Sequence, residues 1–572
     1  MLIWPQTINA SLYKHGVYRA RKESHRAVSP FPVASGAKLV VILARNKCLA
    51  IFDSPCMFAS AHTSCIVGLD AVPVEIEVRV REGEQAKFTI LGLGGAAVRE
   101  SRDRILAALQ RAGFDPPNQI LVNLAPAEVR KDSTAFDLPI ALAITCAIGG
   151  LPQAALEGLS ICGELSLLGD VKPTTGIAAH AMLAAQRKLR AIVVPDENGE
   201  EAAMVDTLKV VGVQTLTQVI RILKRQEPPC IKSRRPPAVL QHRKSIDDVL
   251  GQEVAKRALA ITAAGGHNLL MIGPPGCGKS MLAERLATLL PPVSSAQMLE
   301  VLRIHSVAGQ PTESVLGGIR PFRTPHYVVS DAGLIGGGSG PRPGEVSLAH
   351  RGVLFLDEFP EFRRSAVEAL RSPMETGWVQ IARAKASVVY PARFQLIAAM
   401  NPCPCGRFGS DVGTCRCSHH AVRDYLAKLS QPILDRIDLH VELEAVKVDD
   451  LVWARRSMSQ SSEQIHGAVL AAQARQIERQ GVLNSELSDG ELQSRISVRD
   501  GARRLLSEAI KRIGISARGY TRVLRVARTI ADLAGEECVT EEVVAEAVSY
   551  RSLDRLSNVV HGTGAYIRNR GP

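Results

Sequence analysis

A chain of 572 residues has room for about three or four domains, and a hydrophobic content of 46% can supply each with a core. No run of 18 or more apolar residues is present, which argues against a membrane-spanning helix. A formal net charge of +12 favours a polyanionic partner such as nucleic acid, although excess Arg also serves simply to keep a large protein soluble, and 12 cysteines, spread irregularly apart from one cluster, with no convincing signal-peptide pattern fit reduced thiols in a cytoplasm.

Residues 1–56 mix Lys, Arg, His and Pro with short apolar patches such as 39–43, and no amphipathic period persists. Regular patterning starts at Met57, so the first segment is expected to be an upstream extension or a misplaced start, with a genuine small N-terminal element as the other reading. Residues 57–224 read as one α/β domain. Its strands are expected at 74–80, 88–91, 120–124 and 191–194, and its helices at 97–112, 139–148 and 177–186. Residues 225–244 carry Pro228, Pro229, Pro236 and Pro237 among arginines and read as an extended linker. A second α/β core is expected over 245–444, a helical domain over 445–556 and a frayed tail over 557–572.

The core opens with the apolar run 268–272, then Gly273, Pro274, Pro275, Gly276, Cys277, Gly278, Lys279 and Ser280, then a helical pattern. Strand, glycine loop and helix form the context of a Walker A phosphate cradle. The glycines let backbone N–H groups turn toward phosphates, and the helix N-terminus adds its positive dipole end. Lys279 can reach the β- and γ-phosphates, and Ser280 can ligate Mg²⁺. Downstream, an apolar strand ends in Asp357 and Glu358. Asp357 suits Mg²⁺, and Glu358 suits a general base for the attacking water. A third strand, 394–400, ends at Asn401, a polar side chain able to sense the γ-phosphate. Together these read as an ATPase.

Lys279 and Asp357 are further apart than one strand–helix–strand step requires, so something is inserted between them. The insert carries a glycine-rich loop at 336–344 with Arg342. A second excursion, 379–389, reads as a hairpin with Arg383 and Lys385 near its tip. Flexible basic tips suit contacts to a DNA backbone, although solvated loops share that composition. Cys403, Cys405, Cys415 and Cys417 follow Asn401 in a C-x-C, C-x-C arrangement. In a reducing compartment four thiolates suit tetrahedral Zn²⁺ in a closed, structural site. His419 or His420 could replace a ligand. Two disulfides or an unmetallated loop are the other readings.

Several stretches then point to a family. Gly251 to Leu259 leads into Ala263 to Asn268; Phe322, Arg323, Thr324, Pro325 and His326 lead into Gly336, Gly337 and Gly338; Pro343 to His350, Ala399 to Gly406, and Leu434 to Asp438 complete the set. Together they resemble the ComM/YifB family of magnesium-chelatase-like AAA+ proteins, over roughly residues 57–556. The resemblance implies a hexameric ATPase acting on DNA, with helicase-driven branch migration in natural transformation. It also implies that the two inserts face a central pore. By the same resemblance Arg436 takes the arginine-finger position and Arg518 the sensor 2 position, with Arg522 as the rival.

Within 57–224, the stretches 163–171, 182–185 and 192–195 resemble the proteolytic domain of Lon proteases. Asp137 stands where the nucleophilic serine belongs, and the helix that should carry the lysine base has none, so a Ser–Lys dyad is not expected although Ser133 is nearby. The expected use of this domain is ring assembly or DNA contact, with Arg99, Arg102, Arg104 and Lys131 as candidate basic contributors. The loop Gly92, Leu93, Gly94, Gly95 departs from the family's usual Gly-Leu-Pro-Asp. Three functions compete: a DNA-translocating motor, which is favoured; a chelatase-type ATPase that remodels a protein partner; and an ATP-dependent protease.

Overall fold

A computed structural model describes residues 57–92, 95–129, 131, 133–234, 244–338, 341–383, 386–408, 414–445, 461–513 and 516–551, with the backbone of three short strands before them. It divides into two compact units, residues 1–234 and 235–572.

In the first unit the segment expected to be an unpatterned extension contains strands Val17–Arg19, Leu39–Ala44 and Lys47–Phe52, paired antiparallel. The main sheet has eight strands, built outward from the hairpin of Met57–Val67 and Asp70–Arg81. A two-residue turn closes that hairpin through Gly68, whose φ of 67° is costly for other residues. Along Asp70–Arg81, Val74, Ile76, Val78 and Val80 are buried while Glu75, Arg79 and Arg81 are exposed. This two-residue period turns one face of the strand to the core. Helices Ala96–Arg111 and Asp137–Ala147 belong to that core through Ile105, Leu109, Ile140 and Ile144. Asp137–Ala147 is buried nearly all round, as its almost unbroken apolar sequence requires. The helix expected at 177–186 is Ile177–Gln186.

The second unit is built on a five-stranded parallel sheet in the order Phe322–Arg323, Val353–Leu356, Gln395–Met400, Leu269–Ile272, Leu439–Glu442. Leu269–Ile272 and Val353–Leu356 are buried along their whole length, which is why they read as continuous apolar runs. The helical segment after residue 461 does not form a separate core. Val469, Val526, Ile530 and Val544 share one apolar cluster with Leu259, Ile261 and Leu269. Buried polar ties reinforce it: Gln473 and Gln476 donate to the carbonyls of Ala263 and Ala264, and His267 bonds Thr529 at 2.8 Å. Among the described residues no helix is long and apolar enough to cross a membrane.

Candidate nucleotide site and cysteine cluster

The strand order places Gln395–Met400 between Leu269–Ile272 and Val353–Leu356, so three functional termini open on one edge of the sheet. The phosphate loop leaves Ile272, turns through Gly276 (φ 77°) and Gly278 (φ 94°), and enters the helix Lys279–Leu289. Both angles lie in the left-handed region that glycine adopts without a steric penalty. Lys279 is buried, and its Nζ donates to the carbonyls of Gly273 (2.7 Å) and Pro274 (2.9 Å) and to Asn401 Oδ1 (3.1 Å). Ser280 Oγ donates to Asp357 Oδ2 at 2.9 Å. A hydroxyl and a carboxylate in contact, beside a glycine loop that runs into a helix N-terminus, fit a Mg²⁺–phosphate ligand. Bound there, the ion would neutralise charge on the phosphate oxygens.

Glu358 follows with φ 52°, and its N–H donates to Asp357 Oδ1 at 2.9 Å. A left-handed glutamate costs on the order of 1 kcal/mol, and such strain concentrates at functional sites. Pro275, Lys279, Ser280, Asp357, Glu358 and Asn401 line one open cleft of about 330 Å³, within the usual range for ligand pockets.

The arginines differ in their surroundings. Arg436 is buried. Its Nη1 donates to Pro432 O at 2.5 Å, its Nη2 donates to Glu375, and its Nε is buried with no partner among the described residues. Arg522 donates to Asp438 at 2.6 Å, and Asp438 also accepts from the N–H of Asn268. Burial works to raise the Asp438 carboxyl, but the Arg522 guanidinium and His267 hold it well below the usual carboxylate range. Arg518, at the start of the helix Ala517–Ala534, is exposed.

The inserts form two small hairpins. Gly336–Gly337 pairs with Arg342–Pro343, and Trp378–Arg383 pairs with Ala386–Pro391. Tyr390 joins them by donating to Pro341 O at 2.6 Å. Arg342 is exposed. Arg383 is described by its backbone alone, and Lys385 lies outside the described residues.

The four cysteines converge. Cys403 Sγ lies 3.3 Å from Cys405 Sγ and 3.8 Å from Cys415 Sγ, Cys405 and Cys415 are 3.6 Å apart, and all four sulfurs including that of Cys417 fall within 4.8 Å of one another. Backbone N–H groups of Arg407 and Arg416 pull the Cys405 thiol down to about 6, whereas Cys415 and Cys417, despite backbone hydrogen bonds, are pushed up by burial and by the sulfurs beside them. Neither histidine belongs to the group. His420 instead pairs with Asp424 at 2.7 Å, on the helix His419–Leu426.

Two expectations in the first unit are corrected. Lys131 is not a surface DNA contact: it is fully buried, and Nζ donates to the carbonyls of Gly92, Pro126 and Val129. Arg104 is spent on Asp137, donating from Nε at 2.7 Å, with Nη2 to Ser101. The Arg99 side chain is outside the described residues, and the half-exposed Arg102 lies 3.8 Å from Asp103. Asp137 is buried, and Ser133 caps the turn Thr134–Phe136.

Sequence reasoning gave no role to Glu375 or Asp438, and to Gly406 only a part in the turn between the cysteine pairs. Asp438 could have been suspected from its place just before the strand Leu439–Glu442. Glu375 carries no local signal.

The chain matches the family description "Magnesium chelatase, subunit ChlI" over residues 245–451, "Subunit ChlI of Mg-chelatase" over 76–198, and "Magnesium chelatase, subunit ChlI C-terminal" over 459–551. It is 40% identical to the YifB protein of Salmonella typhimurium over 502 residues, covering 87% of this chain and 98% of that one. It is 40% identical to the competence protein ComM of Haemophilus influenzae over 504 residues, again 87% and 98%. Similarity to the magnesium-chelatase 38 kDa subunit of Cereibacter sphaeroides is narrower, 29% identity over 27% of this chain and 51% of that protein.

Proposed function

Because this chain belongs to the ComM/YifB family of magnesium-chelatase-like AAA+ proteins, we propose that it is an ATP-driven motor that translocates on DNA as a homo-hexamer in the cytoplasm, performing branch migration during recombination of incoming DNA. The observation that carries the ATPase part is the convergence of Lys279, Ser280, Asp357, Glu358 and Asn401 on one cleft. Lys279 and the loop N–H groups bind phosphates, Ser280 and Asp357 hold Mg²⁺, Glu358 activates water, and Asn401 orients it. Arg436 serves a neighbouring subunit's site, and Arg518 reports nucleotide to the helical segment. The four cysteines hold a structural Zn²⁺.

DNA is the polyanion that best suits the charge of +12 and the basic hairpins carrying Arg342, Arg383 and Lys385. A relative's name, competence protein, supports that choice. The first unit is read as a Lon-like fold used for assembly, since Asp137 is committed to Arg104. The runner-up, an ATPase that remodels a protein partner, is favoured by the chelatase family descriptions. ATP hydrolysis measured with and without forked or four-way DNA separates the two. Stimulation by DNA is expected, and no stimulation by any DNA would remove the motor reading.

A further inference from the structure

We infer that Cys403, Cys405, Cys415 and Cys417 hold one Zn²⁺ that braces two residues lining the nucleotide cleft, Pro275 and Asn401, so that the metal controls nucleotide affinity and not only the shape of its own loop. This rests on the reading of the cleft as the ATP site. The sulfur geometry suits the ion. Zn–S bonds of about 2.3 Å in a tetrahedron put sulfurs roughly 3.8 Å apart. Among Cys403, Cys405 and Cys415 the separations are 3.3, 3.6 and 3.8 Å, and the Cys417 sulfur lies within 4.8 Å of each. A disulfide needs about 2.0 Å, so these thiols are gathered as a ligand set and not as bridges.

The described residues of the segment are mostly exposed. Cys403 is buried, but Pro404, Cys405, Arg407 and Arg416 are exposed, and Phe408, Cys415 and Cys417 only partly covered. Short polar contacts remain: the Gly406 N–H donates to Cys403 O at 2.9 Å, and the Phe408 N–H to Cys403 Sγ at 3.3 Å. Side chains this exposed bury little apolar surface to offset the entropy of ordering the loop, and a coordinated ion supplies that energy.

The same segment touches the cleft at two places. Cys403 lies two residues beyond Asn401, whose side chain accepts from Lys279 at 3.1 Å. Gly406, adjacent to Cys405, packs on the phosphate loop. A Cβ there would lie 2.5 Å from Pro275 Cδ and 3.8 Å from Asn401 Cγ, and the glycine also holds φ +74°. Beyond the last cysteine, Tyr425 on the following helix returns to face the Asn401 backbone. Ordering the cluster therefore positions both Pro275 and Asn401. Releasing it frees one wall of the phosphate loop and the partner of Lys279.

The test uses full-length protein. Elemental analysis of unchelated protein is expected to give about one zinc per chain. Zinc is then removed with a chelator under reducing conditions, the chelator is dialysed away, and Mg²⁺ is restored. Binding of a fluorescent ATP analogue is expected to weaken by about tenfold or more and to recover when Zn²⁺ is added back. Gly406→Ala separates coupling from folding. It leaves the four thiols in place, so full zinc content with weakened nucleotide binding is expected. Zinc well below one equivalent, unchanged affinity after zinc removal, or unchanged affinity in zinc-loaded Gly406→Ala would each overturn the proposal. Zinc-loaded wild type that bound no nucleotide would instead overturn the ATP-site reading.

Discussion

Arg436 is buried beside Glu375, whose carboxylate accepts a hydrogen bond from its Nη2, while Nε is left buried without a partner among the described residues. A guanidinium turned into its own chain cannot stabilise charge in a neighbouring site. The unpartnered Nε makes the buried position an incomplete resting place. If Arg436 is the finger, the Glu375 contact is a brake that assembly must release. Arg436→Ala is expected to leave nucleotide binding nearly intact and cut turnover by about 10³-fold. Glu375→Ala is expected to raise DNA-independent turnover several-fold. Steady-state hydrolysis of both variants decides it, and unchanged basal turnover in Glu375→Ala would eliminate the brake.

Lys279 and Glu358 line the same cleft but should fail differently. Lys279→Ala removes the phosphate cation and is expected to abolish nucleotide binding. Glu358→Gln keeps the shape and the Mg²⁺ ligands but loses the base, so ATP should stay bound while turnover falls about 10²–10⁴-fold. Equilibrium binding beside hydrolysis rates distinguishes them. Wild-type turnover in Glu358→Gln would mean the base lies elsewhere.

Arg522 and Arg518 sit on one helix, yet only Arg522 has a buried partner in Asp438. Breaking a buried ion pair costs about 3–5 kcal/mol, so Arg522→Ala should lower the melting temperature clearly. Arg518→Ala, at an exposed position, should shift stability by no more than about 0.5 kcal/mol and act on ATP turnover. The pH sign follows from Asp438. Its carboxyl is held down in the folded state, so its stabilisation is complete above the ordinary carboxylate range and is lost as pH falls through the lowered value. Thermal melts from neutral to acidic pH, compared with Asp438→Asn, measure this. A variant melting in parallel with wild type throughout would contradict it.

In the first unit, Arg104→Ala strands Asp137 in the interior and should destabilise by about 3–5 kcal/mol. Lys131→Met should perturb folding through the lost carbonyl contacts without changing the salt dependence of DNA binding. Arg342→Ala, at an exposed hairpin position, should leave melting unchanged and lower the salt slope of DNA affinity by about one. DNA titrations at several salt concentrations are the check. A reduced slope in Lys131→Met would restore it as a contact.

Local chemistry made much of the cleft legible in the sequence. The phosphate loop needs glycines at left-handed positions between a strand and a helix, and that requirement is written in neighbouring residues. The same holds for Asp357 and Glu358 at a strand end and for the four clustered thiols. What tertiary structure alone decided involves partners far apart along the chain. Strand order brought Asn401 to Lys279, and packing brought Gly406 to Pro275. A charged side chain looks the same in a sequence whether water or protein solvates it. Only the fold showed that Lys131 is surrounded by carbonyls, that Arg522 rather than Arg518 holds Asp438, and that Arg436 turns inward.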